Sequence, residues 1–239
     1  MLNKCKSLIR NSCLWKIKAF RKMSHFIFEI LEKNKTKEKK NAYLSYGEKT
    51  LFDIQSIFSG TSFVVFPVYG TLLGLIREKK LLNHDLDLDF GMIKNKEFSW
   101  QKFDTIMKEN GYFKKKHFEH NGKINEITYF SRFDKRLTID FFCFYKEKNN
   151  YISYSYSFND NEKYKIENER SVYKETLPIF NELIPINAYD KIIYVPCNYK
   201  QLLSSCYSEN WIIPDKKWNN EKRPNYKLIK NTKGFEKNY

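Results

Sequence analysis

The segment 85–90 reads DLDLDF, a strict alternation of aspartate with an apolar side chain. Because residues two apart on a strand point to the same side of a sheet, this alternation predicts a strand over 86–93 with unlike faces. Asp85, Asp87 and Asp89 would then present three carboxylates in a row. Like charges at this spacing repel unless a cation neutralises them, and oxygen-only clusters of this kind bind Mg²⁺ or Mn²⁺. A solvated strand edge or loop is the alternative.

A fourth aspartate, Asp140, lies inside RLTIDFFCFY (136–145), the most apolar of the predicted strands. A carboxylate in such a segment needs a partner when it is buried. The same metal site would supply that partner if the two acidic strands are neighbours in one sheet. An ion pair with Arg132 or Arg136 is the alternative.

Gly70 and Thr71 stand where a predicted strand (62–68) turns into a short predicted helix (72–77). Backbone N–H groups and the helix dipole at such a turn favour an anion. Together with the acidic strand, the turn predicts a phosphate held beside a metal. Arg77 would clamp a phosphate oxygen and His84 would orient the acids, unless they are an ordinary surface arginine and loop histidine.

The formal net charge of +15 is concentrated at the two ends of the chain. Residues 1–40 carry 12 basic and 3 acidic side chains, residues 41–213 carry 23 and 22, and residues 214–239 carry 8 and 3. A nearly neutral body argues against a nucleic-acid groove, so no specific nucleic-acid partner is expected. Basic ends suit an anionic membrane surface. Five widely spaced cysteines with no C-x-x-C pair favour reduced thiols in a cytoplasmic protein.

The N-terminal thirty residues have apolar side chains three or four apart with Lys and Arg between them, which predicts a basic amphipathic helix. This helix would lie in the membrane interface, at the inner face of the cytoplasmic membrane, or pack on the domain. Residues 32–40 are a linker or a solvated helix end, and a second helix over 42–58 ends at Gly60. We therefore divide the chain into 1–40 and a catalytic domain over 41–239.

Turn dipeptides at 121–122, 134–135 and 149–150 separate segments rich in tyrosine and phenylalanine. They predict an antiparallel meander. A short hairpin (183–186 with 191–195) and a helix over 198–206 follow. The fold class is therefore α+β, with a mixed or antiparallel sheet flanked by helices and an amphipathic helix at the N-terminus.

The motif GTLLGLIR (70–77), followed by the acidic strand, resembles the LicD/fukutin family of phosphotransferases. The segment IDFF (139–142) resembles the family's later acidic strand, and the stretch from Ile193 to Pro214 resembles its closing segment. The likeness spans about 69–214. Family members often carry an extra acid where this chain has Leu86, so the metal-ligand set here is expected to be smaller.

The resemblance implies a nucleotidyltransferase-like core that moves a phospho-substituent from a CDP-activated donor to a glycan hydroxyl and releases CMP. It implies Asp87 and Asp89 as ligands of Mg²⁺ or Mn²⁺, Asp85 as a supporting acid, and Asp140 as a third ligand or the base. Two other reactions stay open: nucleotidyl transfer to a small molecule or an RNA end, and glycosyl transfer by a D-x-D enzyme.

Overall fold

The computed structural model describes residues 9, 12, 17–157, 168–215, 217–219 and 222–239. Its four longer helices are α1 (Lys18–Phe58), α2 (Tyr69–Arg77), α3 (Trp100–Glu109) and α4 (Tyr199–Tyr207). Its strands, in chain order, are β1 (Val65–Pro67), β2 (Asp87–Ile93), β3 (Phe113–His120), β4 (Lys123–Phe130), β5 (Thr138–Glu147), β6 (Asn150–Ser157), β7 (Glu169–Pro178), β8 (Leu183–Ala188), β9 (Lys191–Pro196), β10 (Tyr226–Leu228) and β11 (Gly234–Asn238). The α+β class is confirmed.

Helix α1 is one continuous helix of 41 residues. The two helical patterns of the sequence are joined, so the interpretation of 32–40 as a linker is wrong. Those residues are mostly exposed and form a solvated middle of the helix. The helix ends before Gly60, whose φ of +77° is readily adopted only by a residue without a side chain. Most of the predicted helix before residue 17 lies outside the described residues.

The central sheet runs in the order β1, β2, β5, β4, β3, and the parallel contact in this run is between β2 and β5. The segments β3 to β7 pair in succession as antiparallel neighbours, which confirms the predicted meander. The β8–β9 hairpin and helix α4 also form where the sequence predicts them.

The outer strands close on one another. Strand β11 pairs with both β3 and β7, while β6 pairs with both β5 and β7. A ring of six strands results, in the order β5, β4, β3, β11, β7, β6. The Lys-rich segment at the C-terminus therefore contributes β10 and β11 to the folded body.

Apolar side chains cover both faces of β2 and β5. On one face, Leu88 and Phe141 are 0% exposed and pack with α1 and α3, where Phe103 stacks on Phe58 with ring centroids 4.8 Å apart. On the other face, Phe144 packs with residues of α2 and α4. The sheet is thus held from both sides, and the acidic side chains lie on the second face. No helix in the described part of the chain has both the length and the apolar character required to cross a membrane.

Candidate functional site

Asp89 and Asp140 are direct neighbours in the sheet. Strands β2 and β5 pair in parallel with Asp89 opposite Asp140, and Asp87 opposite Thr138. The residues that alternate with the aspartates, Leu88 and Phe90, are 0% and 1% exposed. Burial of those two side chains fixes the register, since a shift of one residue would turn the carboxylates into the core. Asp87, Asp89 and Asp140 therefore share one face.

Asp85 is not on the strand. It follows a turn in which its N–H donates to the carbonyl oxygen of Leu82 at 3.2 Å, and β2 begins only at Asp87. The prediction of three carboxylates in a row on one strand is therefore wrong for Asp85. Its side chain instead packs on the start of α2, where a methyl group added to Gly70 would lie 2.6 Å from its Oδ2. A side chain at position 70 would displace this carboxylate.

The start of α2 is fastened to the main chain of Asp89. The N–H of Val68 donates to the carbonyl oxygen of Asp89 at 3.1 Å, and the N–H of Asp89 donates to Oγ1 of Thr71 at 2.9 Å. Thr71 is fully buried. The predicted anion-binding turn thus lies beside the acidic strand, and the Thr71 hydroxyl serves to hold that strand.

Arg77 and His84 lie at the Asp85 side of the site. Nη1 of Arg77 donates to the carbonyl oxygen of Trp211 at 3.4 Å, and its Nη2 lies 3.3 Å from Oε1 of Glu78. Arg77 therefore joins α2 to the segment after α4. The His84 side chain is 75% exposed, with Nε2 3.8 Å from Oδ1 of Asp85.

In the part of the chain that the structure describes, Asp140 forms no ion pair with an arginine. Arg132 pairs with Asp53 at 2.5 Å and Arg136 pairs with Asp134 at 2.6 Å, so the alternative of an ion pair with either arginine is wrong. Oδ1 of Asp140 is buried and accepts no hydrogen bond from the described residues. Thr128, opposite Asp140 on β4, has a buried hydroxyl that also lacks a hydrogen-bond partner within the described ranges.

The carboxylates repel one another. Burial, followed by the charge of Asp140, raises the pKa of Asp87 to about 7. Burial, followed by the charges of Asp87, Asp140 and Asp85, raises the pKa of Asp89 well above its usual value. Burial also raises the pKa of Asp85. Without a cation the folded chain therefore favours protonation of this cluster.

Three residues that local sequence patterns did not indicate face the cluster. Tyr43 of α1 is 2% exposed, and its hydroxyl has no hydrogen-bond partner among the described residues. Burial and the charges of the nearby aspartates raise the pKa of Tyr43, so the hydroxyl keeps its proton and can donate a hydrogen bond. Lys39 lies one turn earlier in α1, and its positive charge partly offsets the effect of burial on the pKa of Asp87. Lys115 is the extra residue of a bulge in β3, and burial and the neighbouring charge of Lys39 lower its pKa to about 8.

Residues 60–177 match the family model described as LicD/FKTN/FKRP, nucleotidyltransferase domain. The matched segment contains α2, the acidic strand and Asp140. The chain belongs to the LicD/fukutin family. Tyr43, Lys39 and the C-terminal strands lie outside the matched residues.

A relative of this LicD/fukutin chain occurs in Rickettsia typhi, where it is described as an uncharacterized protein. The alignment of 148 positions is 30% identical and covers 57% of this chain. The aligned region spans 44% of the relative's own length, which is less than half of that protein.

The carboxylate oxygens of this LicD/fukutin site are of the type that Mg²⁺ prefers as ligands. Among the described residues, no three His, Cys, Asp or Glu side chains are positioned to ligate one metal ion. Mg²⁺ is commonly bound by one or two carboxylates and completes its shell with substrate phosphates and water. Asp89, Asp140 with its unpartnered Oδ1, and Asp87 offer such oxygens.

We expect Asp89→Asn to raise the melting temperature of the metal-free protein. A carboxyl pKa that is higher in the folded than in the unfolded chain means that ionisation opposes folding. The gain should therefore be large at about pH 8 and vanish at about pH 3, where both states carry the proton. Mg²⁺ should stabilise the wild type and leave the variant unchanged. Thermal unfolding at the two pH values measures both effects.

The matched control is Asp215→Asn, because the exposed Asp215 carboxylate accepts hydrogen bonds from the N–H of Lys217 and from Lys222. This substitution should give no gain in melting temperature. If Asp89→Asn melts at or below the wild-type temperature in metal-free buffer at the higher pH, repulsion is not the dominant force in the cluster.

Proposed function

We propose that this LicD/fukutin chain is a metal-dependent phosphotransferase with a nucleotidyltransferase-like core. Its donor is a CDP-linked phospho-substituent such as phosphocholine or a phospho-alditol, and its acceptor is a hydroxyl of a cell-surface glycan. The observation that carries the proposal is the pairing of Asp89 with Asp140 beside the start of α2. Acids on one side and a helix N-terminus on the other suit a metal-bound diphosphate.

From the set Asp87, Asp89 and Asp140, two carboxylates at a time would hold Mg²⁺ or Mn²⁺ together with substrate oxygens, with Asp85 as a supporting acid. When bound, the ion neutralises charge on the diphosphate oxygens and so lowers the barrier to transfer. The direct pairing of Asp140 with Asp89 favours Asp140 as a ligand rather than as the base. Tyr43 keeps its proton and can donate a hydrogen bond to an oxygen of donor or acceptor.

The reaction exchanges one P–O bond for another. The acceptor oxygen bonds to the distal phosphorus, which still carries its substituent. The bond from that phosphorus to the bridging oxygen breaks, and CMP leaves with the bonding electrons. The proton of the acceptor hydroxyl passes to a base or to solvent. The chain's own contribution is to position the diphosphate between the acids and the N-terminus of α2.

Nucleotidyl transfer is the competing reaction, because the same metal and turn would serve an attack on the other phosphorus. The family membership of residues 60–177 favours transfer of the distal phosphoryl group. Glycosyl transfer by a D-x-D enzyme is less well supported, since a phosphate-binding turn fastened to the acidic strand is not required for it.

We expect Asp87→Asn to reduce CMP release by about 100-fold or more, because a neutral amide fills the same space but cannot balance a cation. CMP release from a CDP-linked donor in the presence of acceptor and Mg²⁺ is the measurement. Asp134→Asn is the control, since Asp134 pairs with Arg136 away from the cluster. Turnover of the Asp87 variant above about a tenth of wild type would contradict the assignment.

We also propose that α1 binds an anionic membrane surface, which would keep the enzyme at the inner face of the cytoplasmic membrane. Five apolar side chains on one side of the helix are exposed: Met23 (54%), Phe26 (63%), Ile27 (45%), Ile30 (41%) and Leu31 (44%). Their spacing of three and four residues makes them one stripe. The 12 basic side chains of residues 1–40 would add electrostatic attraction.

We expect the double substitution Phe26→Ser and Ile30→Ser to weaken binding to phosphatidylserine vesicles by about tenfold or more, because two exposed apolar anchors are lost. Vesicle co-sedimentation measures this. Leu44→Ser is the control, since Leu44 is 55% exposed on the same helix but lies more than three turns beyond the stripe. Unchanged vesicle binding of the double variant, or failure of the wild type to bind, would contradict the membrane role.

A further inference from the structure

A buried arginine from the C-terminal segment lies at the edge of the acidic site. Arg223 is 8% exposed and lies three residues before the start of β10. Burial raises the pKa of the Asp89 carboxyl, and the positive charge of Arg223 opposes a smaller part of that rise. Arg223 is outside both the matched family segment and the GTLLGLIR and DLDLDF motifs.

Contacts with a buried carboxylate and two aromatic rings, beside the buried Cys206 thiol, hold the Arg223 guanidinium. Nη1 donates to Oε1 of the fully buried Glu175 at 3.2 Å. The guanidinium carbon lies 4.3 Å from the centre of the Tyr69 ring and 5.4 Å from that of the Tyr226 ring. An arginine held between two aromatic rings and a carboxylate is preorganised, so little side-chain entropy remains to be lost when it binds a further group.

The Nε donor of Arg223 takes no part in these contacts. Nε of Arg223 is buried and has no hydrogen-bond partner among the described residues. A buried, charged N–H without an acceptor is unfavourable, and a role limited to the Glu175 ion pair does not account for it. A ligand oxygen would satisfy this donor.

Tyr69 connects Arg223 to the anion-binding turn. It is the first residue of α2, and its hydroxyl donates to Oε2 of Glu175 at 2.9 Å. Its φ of +50° is a costly left-handed conformation for an aromatic residue, so the surrounding contacts hold the backbone there. The first N–H groups of α2 have no intrahelical acceptor. Arg223 stacks on the ring of Tyr69, the residue at which that helix begins.

We propose that Arg223 binds a phosphate oxygen of the donor diphosphate, so that the C-terminal segment is part of the substrate site. Asp89 faces the metal side of the diphosphate, and Arg223 with the start of α2 faces its other oxygens. This inference rests on the proposed function, because it takes a nucleoside diphosphate as the ligand. The planar guanidinium suits phosphate better than an ammonium group does.

The test is binding of CDP and of cytidine, each with Mg²⁺, measured by calorimetry on the full chain. Arg223→Lys retains the charge beside Glu175 and removes the Nε donor. We expect it to weaken CDP binding about 10- to 100-fold and to leave cytidine binding unchanged, since cytidine has no phosphate. Lys222→Gln, which removes an adjacent exposed cation paired with Asp215, should change CDP binding less than about threefold.

Two results would overturn the role of Arg223. One is wild-type affinity for CDP in the folded Arg223→Lys variant. The other is an equal loss of affinity for CDP and for cytidine, which indicates a structural role.

Inorganic pyrophosphate separates this inference from the proposed function. If the wild type binds pyrophosphate through Arg223 but does not bind CDP, the anion site stands and the cytidine donor is wrong.

Discussion

The parallel pairing of β2 with β5 is the contact on which the site depends. It places Asp89 directly opposite Asp140, although 51 positions separate them in the sequence. Two carboxylates brought together in a buried sheet oppose folding, as the raised pKa of Asp89 indicates. The arrangement therefore needs support from the rest of the molecule.

That support comes from the opposite face of the same strands. Leu88, Phe90 and Phe141 are almost completely buried, and they pack with the aromatic side chains of α1 and α3. Because side chains alternate along a strand, burial of these residues fixes the direction of the aspartates. Hydrogen bonds from Val68 to Asp89 and from Asp89 to Thr71 then attach α2 to the same point. The core thus holds an unfavourable charge cluster in place, as the proposed binding of a cation and a phosphate requires.

Local patterns were sufficient for most elements and for the central acids. Alternation identified β2, turn dipeptides located the meander, and the isolated acid in an apolar strand identified Asp140 as a neighbour of the cluster. They failed for Asp85, because alternation does not reveal where pairing begins. They also missed Tyr43, Lys115 and Arg223, which reach the site through a long helix, a bulge and a C-terminal segment. Such positions depend on long-range packing and have no local signature.

The fate of the distal phosphorus tests the central claim most directly. A CDP-linked donor labelled in its distal phosphate is incubated with an acceptor glycan, with and without Mg²⁺. Phosphotransfer predicts the label in the glycan and unlabelled CMP in solution, and both only when the divalent ion is present. Cytidine attached to the acceptor, with the label released, would contradict the phosphotransferase assignment.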